Sequence, residues 1–238
     1  MIYYFEPFDN RKLTTMSLIK RLAAILPASL QRELKRHYFA GKIKRNQLVS
    51  PEPEFRELHN FVSEGDWVID IGANIGSYTI LLSNLVGKKG RVIAFEPIPV
   101  TFLHLSENVR HGKHNNVTLL NAAASDKCEQ VNMSIPKFDT GLKNYYQASI
   151  TSNSNDAEFS AMTLPVDTLL TGKKVSLIKI DAEGHEPAVI RGAKKIIERD
   201  RPTMVIETVT DEIRQYLIGL GYKETRLENS PNLIFEHS

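Results

Sequence analysis

The sequence has only one cysteine among its 238 residues, Cys128, so no disulfide can form within the chain. It also lacks any apolar run close to the ~20 residues that a membrane-spanning helix needs. The first ten residues carry acids and no basic segment, which is unlike a secretory signal. Apolar residues make up 42% and charged residues 24%, which excludes a disordered or collagen-like chain. We therefore expect a globular protein of a reducing compartment, the cytoplasm.

Short apolar runs at Trp67–Ile71, Arg91–Phe95, Val117–Leu120, Val175–Ile180 and Thr203–Ile206 have the length and composition of buried strands. The segments between most of them place apolar residues at helical spacing. Strands that alternate with helices predict an α/β fold with a mostly parallel sheet and helices on both faces. We expect one such domain over residues 63–238.

The first 62 residues predict a separate helical arm, with apolar residues at helical spacing over 18–26, 30–38 and 55–62. Leu18–Arg45 holds eight Lys or Arg and one Glu, a net charge of +7. A solvated helix face explains this charge, and so does a surface for a polyphosphate or a membrane. A third hypothesis packs these helices beside the ligand crevice, where they shape its entrance.

Two other regions carry weaker signals. The stretch 138–160 is rich in Asn, Ser, Tyr and Asp without a clear period, which predicts a long surface loop. Tyr145 and Tyr146 in this loop either close over a ligand or are plain surface aromatics. Near the end, Leu233-Ile234-Phe235 predicts a final edge strand.

The run from Asp70 to Gly76, D-I-G-A-N-I-G, joins the first strand to the first helix. Glycines allow a tight turn and a close approach of backbone to a ligand, and the helix N-terminus behind them favours an anionic group. Glu96 ends the second strand 20 residues after Gly76, where a carboxylate accepts the two hydroxyls of a ribose. The pattern indicates an adenosine-type ligand, although a purely structural turn would also contain these residues.

The loop differs from the dinucleotide pattern G-x-G-x-x-G, because Asn74 stands between Gly72 and Gly76. An acid at the strand end, Asp70, suits a ligand that carries an amino group. S-adenosylmethionine has such a group, so the loop favours it over NAD.

Three stretches resemble the FkbM family of S-adenosylmethionine-dependent methyltransferases, whose fold is Rossmann-like. They are D-I-G-A-N-I-G-S-Y-T at 70–79, F-E-P at 95–97 and I-K-I-D-A-E-G-H-E at 178–186. P-V-D-T-L at 165–169 and R-P-T-M-V-I-E at 201–207 also fit the family. The resemblance spans about residues 54–208 and leaves the arm and the last 30 residues outside.

The resemblance implies a role for each matching residue toward S-adenosylmethionine. The turn approaches the methionine end, Asp70 holds the ammonium group, and Glu96 beside Pro97 binds the ribose. Asn121 and Ala122, after the third strand, line the adenine pocket, and Asp181 lies beside the transferable methyl group. The turn residues meant here are Gly72, Asn74, Gly76 and Ser77.

Four acids, Asp70, Glu96, Asp181 and Glu207, stand at predicted carboxyl ends of strands. Ligands of open parallel sheets bind at that edge, so we expect these acids to converge on one crevice. The turn that follows Asp181 carries three further ionisable residues, Glu183, His185 and Glu186. We expect Glu183, Glu186 and Glu207 to contact the molecule that accepts the methyl group. Acids are also favoured in any first helical turn, which is the structural alternative for Glu183 and Glu186.

We predict that Asp181 and His185 orient and deprotonate the acceptor, with His185 as the proton acceptor because its ordinary pKa is about 6.5. A competing hypothesis has Asp181 and Glu207 binding a divalent ion, with His185 as a bystander. Our preferred interpretation includes no metal.

The predicted function is transfer of a methyl group from S-adenosylmethionine to a hydroxyl of a sugar, glycan or other small molecule. Transfer to nitrogen or carbon, an NAD-dependent reaction and a non-catalytic S-adenosylmethionine-binding protein are the alternatives. The chain has no H-E-x-x-H, C-x-x-C or G-x-S-x-G motif, and no N-P-P-Y motif of base methylation. We therefore expect no nucleic acid partner, while peripheral contact with a membrane through the basic arm stays open.

Overall fold

A computed structural model describes residues 27–136, 144–169 and 172–237. Its main element is a seven-stranded sheet with the order β10-β11-β9-β8-β1-β2-β3. The five strands from β9 to β3 are parallel, and β10 and β11 are antiparallel at one side. The sheet is thus mostly parallel, as predicted. Its strands are β1 (Trp67–Ile71), β2 (Arg91–Phe95), β3 (Val117–Leu120), β8 (Val175–Ile180), β9 (Thr203–Ile206), β10 (Tyr222–Thr225) and β11 (Leu233–His237).

The last strand is not at the edge of the sheet, contrary to our expectation. β11 lies between β9 and β10, and Tyr222–Thr225 forms the edge instead. The reason is visible in the sequence, because Leu233, Ile234 and Phe235 are consecutive buried residues that point to alternate faces. In β10 only Tyr222 is buried, as an edge position allows.

Helices cover both faces of the sheet. Proline occupies the first turn of three of them, where its missing N–H costs nothing. Thr210 caps the last helix by accepting a hydrogen bond from the N–H of Ile213. The helices within the described residues are α1 (Ala28–Lys44), α2 (Pro53–Glu57), α3 (Ser77–Val86), α4 (Pro99–Val109), α5 (Glu186–Gly192), α6 (Lys194–Asp200) and α7 (Asp211–Gly219).

The core has two layers because side chains alternate across each strand. Ile69, Phe95, Ile178 and their neighbours point to one face and pack under α5, α6 and α7. Val68, Val92 and Leu177 point to the other face and pack under α2 and α3. Within this second layer the strands also carry two charged side chains toward α3, those of Asp70 and Lys179, which are paired in the register of β1 and β8.

Residues 53–62 pack into this second layer. Phe55, Leu58 and Val62 are buried against Val68 and Leu82, and the ring of Phe55 also contacts Tyr78 edge-on at 5.0 Å. The division of the chain at residue 62 stays a prediction. A cut there would separate these three side chains from the core that they fill.

The region after β3 folds into a second sheet, with the order β4-β7-β5-β6. The expectation of a long surface loop over 138–160 is therefore wrong for two described parts of it, which form β6 and the start of β7. These strands are short, and side-chain exposure alternates along only part of their length, so no period was visible in the sequence. The strands of this second sheet are β4 (Ala123–Ser125), β5 (Gln130–Ser134), β6 (Ser149–Thr151) and β7 (Phe159–Pro165).

Helix α1 packs along α4. Ile43 is buried, and the ring of Phe39 contacts His104 edge-on at 6.3 Å. The helix predicted over 18–26 lies outside the described residues. Within the described part of the chain, no helix is long and apolar enough to cross a membrane.

Candidate active site

The carboxyl ends of β1, β2, β8 and β9 surround a cleft of about 220 Å³. Most of the residues predicted from the sequence lie in its wall. Apolar residues of the second sheet form another part of the wall and close the cleft from the side. The predicted residues that line it are Gly72, Asn74, Ser77, Glu96, Pro97, Asp181, Glu183, His185 and Glu207.

The turn after β1 presses against the end of β8. Gly72 has a φ of +75°, and a Cβ placed on it would lie 1.9 Å from the carbonyl oxygen of Asp181. The N–H groups of Gly72 and Ala73 both donate to the carbonyl oxygen of Phe95, at 3.1 and 2.9 Å. Only glycine fits at residue 72, since any side chain would collide with backbone. This part of the cleft is therefore walled by main chain.

Glu96 fixes the same turn through its carboxylate. One oxygen accepts the N–H of Asn74 and the other accepts the N–H of Ile98, both at 2.9 Å. The side chain is 3% exposed, and this burial raises the pKa of Glu96 to about 7, although the two N–H donors oppose the rise. Each carboxylate oxygen keeps a second lone pair, so Glu96 can still accept ligand hydroxyls at the cleft.

Asp70 lies beneath the turn rather than in the wall of the cleft. It is fully buried, and one of its oxygens accepts a hydrogen bond from the hydroxyl of Thr79 at 2.6 Å. Its other oxygen has no hydrogen-bond partner among the described residues. Burial raises the pKa of Asp70, opposed by the ammonium of Lys179. Its contact with an amino group of the ligand stays a prediction.

Lys179 brings a buried positive charge to the floor of the cleft. Its Nζ lies 2.9 Å from Oδ2 of Asp181 and 4.9 Å from the centre of the Tyr78 ring. Burial alone would lower the pKa of Lys179, but the carboxylates of Asp181, Asp70 and Glu52 outweigh it and raise the pKa. The raised pKa favours the protonated form of Lys179, which donates a hydrogen bond to Asp181.

Asp181 and Glu207 form a carboxyl pair at the ends of β8 and β9. A hydrogen bond from Glu207 to Asp181, followed by burial, raises the pKa of Glu207 to about 8. Burial tends to raise the pKa of Asp181, but Lys179 and Glu207 together hold it below its usual range. Near neutral pH, Glu207 thus carries the proton and Asp181 the charge.

Glu183 completes an acidic cluster at the mouth of the cleft. Burial and the negative charges of Asp181 and Glu186 raise its pKa to about 7. One oxygen each from Asp181, Glu183 and Glu207 lies within 4.8 Å of the others, a spacing that a cation could bridge. The ammonium of Lys179 already supplies a positive charge to this cluster.

His185 lines the same cleft but has a different partner from Asp181. Its Nε2 lies 2.9 Å from the hydroxyl of Ser125, which is in β4. Burial lowers the pKa of His185 below its ordinary 6.5, so the imidazole is neutral near pH 7. Asp181 and His185 therefore lie in the same cleft but have different hydrogen-bond partners. Their joint catalytic role stays a prediction.

Four other predicted residues lie next to the cleft. Glu186 is fully buried and folds back on its own turn, where it accepts the N–H groups of Ala182 and Gly184. The amide of Asn121 donates to the carbonyl oxygens of Glu96 and Pro97 and so ties two strand ends together. Ala122 and Gly76 are buried behind the wall. Contacts of these four residues with a ligand stay predictions.

The cleft also contains residues that the sequence did not reveal as site residues. Tyr78 lies in its wall, and its hydroxyl oxygen is 2.5 Å from a carboxylate oxygen of Glu52 and 3.0 Å from one of the buried Glu54. The signals for Lys179 were its place in the stretch I-K-I-D-A-E-G-H-E and its position two residues before Asp181, on the same face of a strand. Tyr145 lines the cleft, and the side chain of Tyr146 lies outside the described residues. Apolar residues complete the wall, among them Ile98, Ala123, Ala124, Met133, Ala148 and Ile150.

Residues 70–224, about two thirds of the chain, match the family model of the methyltransferase FkbM domain. The chain belongs to the FkbM methyltransferase family. The methyl donor of this domain is S-adenosylmethionine, as the sequence predicted. The match begins at Asp70, near the end of β1, and ends within the antiparallel strand β10, so it includes β2, β3, β8 and β9 but not β11.

Two relatives extend this result. The hexuronic acid methyltransferase AglP of Haloferax volcanii is 27% identical over 151 residues, which are 60% of this chain and 56% of AglP. The crystal structure of an FkbM methyltransferase from Methylobacillus flagellatus matches with a TM-score of 0.53 at 18% identity, over 93% of this chain and 59% of that chain. This match confirms the fold. The chain spans a little more than half the length of either relative.

The residues of the cleft fit S-adenosylmethionine. The backbone wall at Gly72 leaves room for a closely held ligand, and the lone pairs of Glu96 suit the hydroxyls of a ribose. The small and apolar residues Ile98, Ala123 and Ala124 suit a flat base. The carboxylates of Asp181 and Glu183 suit the positive charges of the methionine end.

Proposed function

We propose that the chain transfers a methyl group from S-adenosylmethionine to a hydroxyl of a sugar or glycan. The observation that carries the proposal is the convergence of the Gly72 turn, Glu96 and Asp181 on one cleft of an FkbM domain. The activity in the name of AglP, methylation of a hexuronic acid, supports a sugar as the acceptor. Bound S-adenosylmethionine supplies an electrophilic methyl group on its sulfonium.

We assign donor binding to the wall formed by β1 and β2. The loop 72–77 would hold the methionine end, and Glu96 with Pro97 would hold the ribose. Ala123 and Ala124, which line the cleft, join Asn121 and Ala122 as our proposed contacts with adenine. Asp70 would contribute by holding the turn above it in position.

We assign proton transfer to His185, at Nδ1. The hydroxyl of Ser125 lies 3.4 Å from Oδ1 of Asp126, to which it can donate. The hydroxyl oxygen of Ser125 can then accept a hydrogen bond from the N–H at Nε2 of His185. In this tautomer Nδ1 of His185 carries the lone pair. The lowered pKa keeps this nitrogen unprotonated near pH 7. A positioned base of this kind contributes typically ~10²–10⁴-fold in rate.

We propose that Lys179 and Asp181 set the charge beside the reacting groups. Lys179 holds Asp181 as a carboxylate, which can attract the positive methionine end of the donor or accept a hydrogen bond from the acceptor. Glu207, in its protonated form, offers an oxygen acceptor without a further negative charge. Glu183 would contact the acceptor at the mouth of the cleft.

A metal-assisted reaction is the second candidate, supported by the oxygens of Asp181, Glu183 and Glu207 that lie within 4.8 Å of one another. In this version the three carboxylates would hold a divalent cation, which would lower the pKa of the acceptor hydroxyl. Loss of rate with a chelator, restored by added Mg²⁺ or Mn²⁺, would favour it. Full rate with the chelator would leave His185 as the assigned base.

The proposal is tested with tritiated-methyl S-adenosylmethionine and a panel of uronic acid, neutral sugar and polyketide alcohols. We expect label in at least one sugar product, and at least about a hundredfold loss of rate in His185→Ala with donor affinity unchanged. His59→Ala, at an exposed His outside the cleft, is the matched control. Tight donor binding without transfer to any acceptor would instead indicate a binding protein.

A further inference from the structure

Helix α1 presents apolar side chains to solvent. Leu30, Leu34 and Tyr38 are 46%, 50% and 41% exposed. They are spaced four residues apart, so they share one face of the helix, which we name the α1 stripe. Val100 and Leu103 of the neighbouring α4 are also exposed. Five of the eight large hydrophobic residues that are exposed in the described part of the chain thus lie on this pair of helices.

The α1 stripe is not the face that holds the helix to the domain. That role belongs to Phe39, which contacts His104, and to the buried Ile43. A helix with one apolar face packed and another one exposed has a second surface to cover.

Positive charge lies beside the C-terminal end of the α1 stripe. The Nζ of Lys42 lies 5.3 Å from the centre of the Tyr38 ring, and Lys44 and Arg45 are exposed at the end of the helix. The segment 18–45 has a net charge of +7. Basic residues beside an apolar face are typical of helices that lie in the interface of an anionic membrane.

We infer that the α1 stripe docks on the surface of an anionic lipid bilayer. Charge complementarity favours lipid over a second copy of the chain, because dimerisation through α1 would bring two segments of +7 together. It also favours lipid over RNA, since leucines gain nothing from phosphate contacts but gain from burial among acyl chains.

The test uses the full chain and vesicles of phosphatidylcholine with about 30% phosphatidylglycerol, compared with vesicles of phosphatidylcholine alone. We expect co-sedimentation with the anionic vesicles only, and release at about 0.5 M salt, where surface charges are screened. In Leu30→Ser/Leu34→Ser, partitioning should fall at least about tenfold.

The matched control is Met162→Ser/Ile218→Ser, which removes two side chains of similar exposure from other elements, 47% and 52%. It should bind vesicles as the wild type does. Both variants should retain the wild-type affinity for S-adenosylmethionine, which shows that they are folded and separates this inference from the proposed function.

Four results would overturn the inference. They are no binding of the wild type to anionic vesicles, equal losses in the two variants, binding of an RNA oligonucleotide without binding of vesicles, and a dimer in analytical ultracentrifugation that Leu30→Ser/Leu34→Ser dissociates.

Discussion

The two walls of the cleft are built in different ways. The donor wall is main chain and one carboxylate, and its geometry is fixed by short contacts such as those of Gly72 with β8 and of Glu96 with two N–H groups. The charged wall is a set of side chains, Lys179, Asp181 and Glu207, that hold one another. The geometry of ligand binding in this cleft therefore depends on the turn after β1, whereas the protonation of the acidic side chains depends on contacts between neighbouring strand ends.

The largest effect should come from removing the cation of the charged wall. Lys179→Met leaves Asp181 and Asp70 without their positive neighbour in a buried site, so we expect a loss of about 3–5 kcal/mol in the free energy of unfolding. Lys179→Arg should retain part of this stability. Urea denaturation measures both, and equal stability of Lys179→Met and wild type would contradict the described ion pair.

Gly72→Ala tests the donor wall. The added Cβ would lie 1.9 Å from the carbonyl oxygen of Asp181, so the turn must move, and we expect affinity for S-adenosylmethionine to fall at least about a hundredfold. Gly65→Ala is the control, because Gly65 also has a positive φ but has nothing within 4 Å of the added atom. If calorimetry gave the same affinity for both variants, the close approach would not matter for binding.

Glu96→Ala removes the acceptor of two N–H groups and of the proposed ribose hydroxyls. Hydrogen bonds to a charged group are worth roughly 1.5–3 kcal/mol, so affinity for S-adenosylmethionine should fall about tenfold to a hundredfold. Glu228→Ala, at an exposed position outside the cleft, should bind normally. Unchanged affinity in Glu96→Ala would remove Glu96 from the donor site.

The smallest effect concerns pH. Glu207 has a pKa raised to about 8, so it loses its proton between pH 7 and pH 9 and adds a negative charge beside Asp181. If the neutral form is the active one, the rate falls about tenfold over this range. Because the pKa in the fold lies above the ordinary value of 4.5, stability is also lost as pH rises from 4.5 toward 8.

Glu207→Gln keeps the shape of the side chain and cannot ionise. Its rate should change by no more than about twofold from pH 7 to pH 9 in a discontinuous methyl-transfer assay, because Glu96 and Glu183, with pKa values of about 7, are already half ionised at pH 7. An alkaline decline of the same size in the variant would assign the decline to another group.

The sequence predicted the main sheet because its buried strands are short and mostly apolar runs, as in Arg91–Phe95. It also predicted which acids stand at strand ends. It did not predict β6, where three residues of intermediate exposure leave no period. Nor did it place Tyr78 or Lys179 in the cleft, because their roles depend on neighbours from other strands and helices.

The same reason separates the predicted residues that line the cleft from those that lie beside it. Glu186 and Asn121 stand at the predicted turns, but their side chains bond to backbone within those turns. Position along the chain fixes which edge of the sheet a residue reaches. The direction of its side chain depends on the partners that the fold supplies.

The proposed function is tested most directly by a reaction of the protein with ¹³C-methyl S-adenosylmethionine and the sugar acceptor found in the panel. Heteronuclear NMR then identifies the atom of the product that carries the labelled methyl group. We predict one new methyl group, bonded to a former hydroxyl oxygen of the sugar, and its loss in Gly72→Ala but not in Gly65→Ala. A labelled methyl group on nitrogen or carbon, or no transfer by protein that binds the donor, would contradict it.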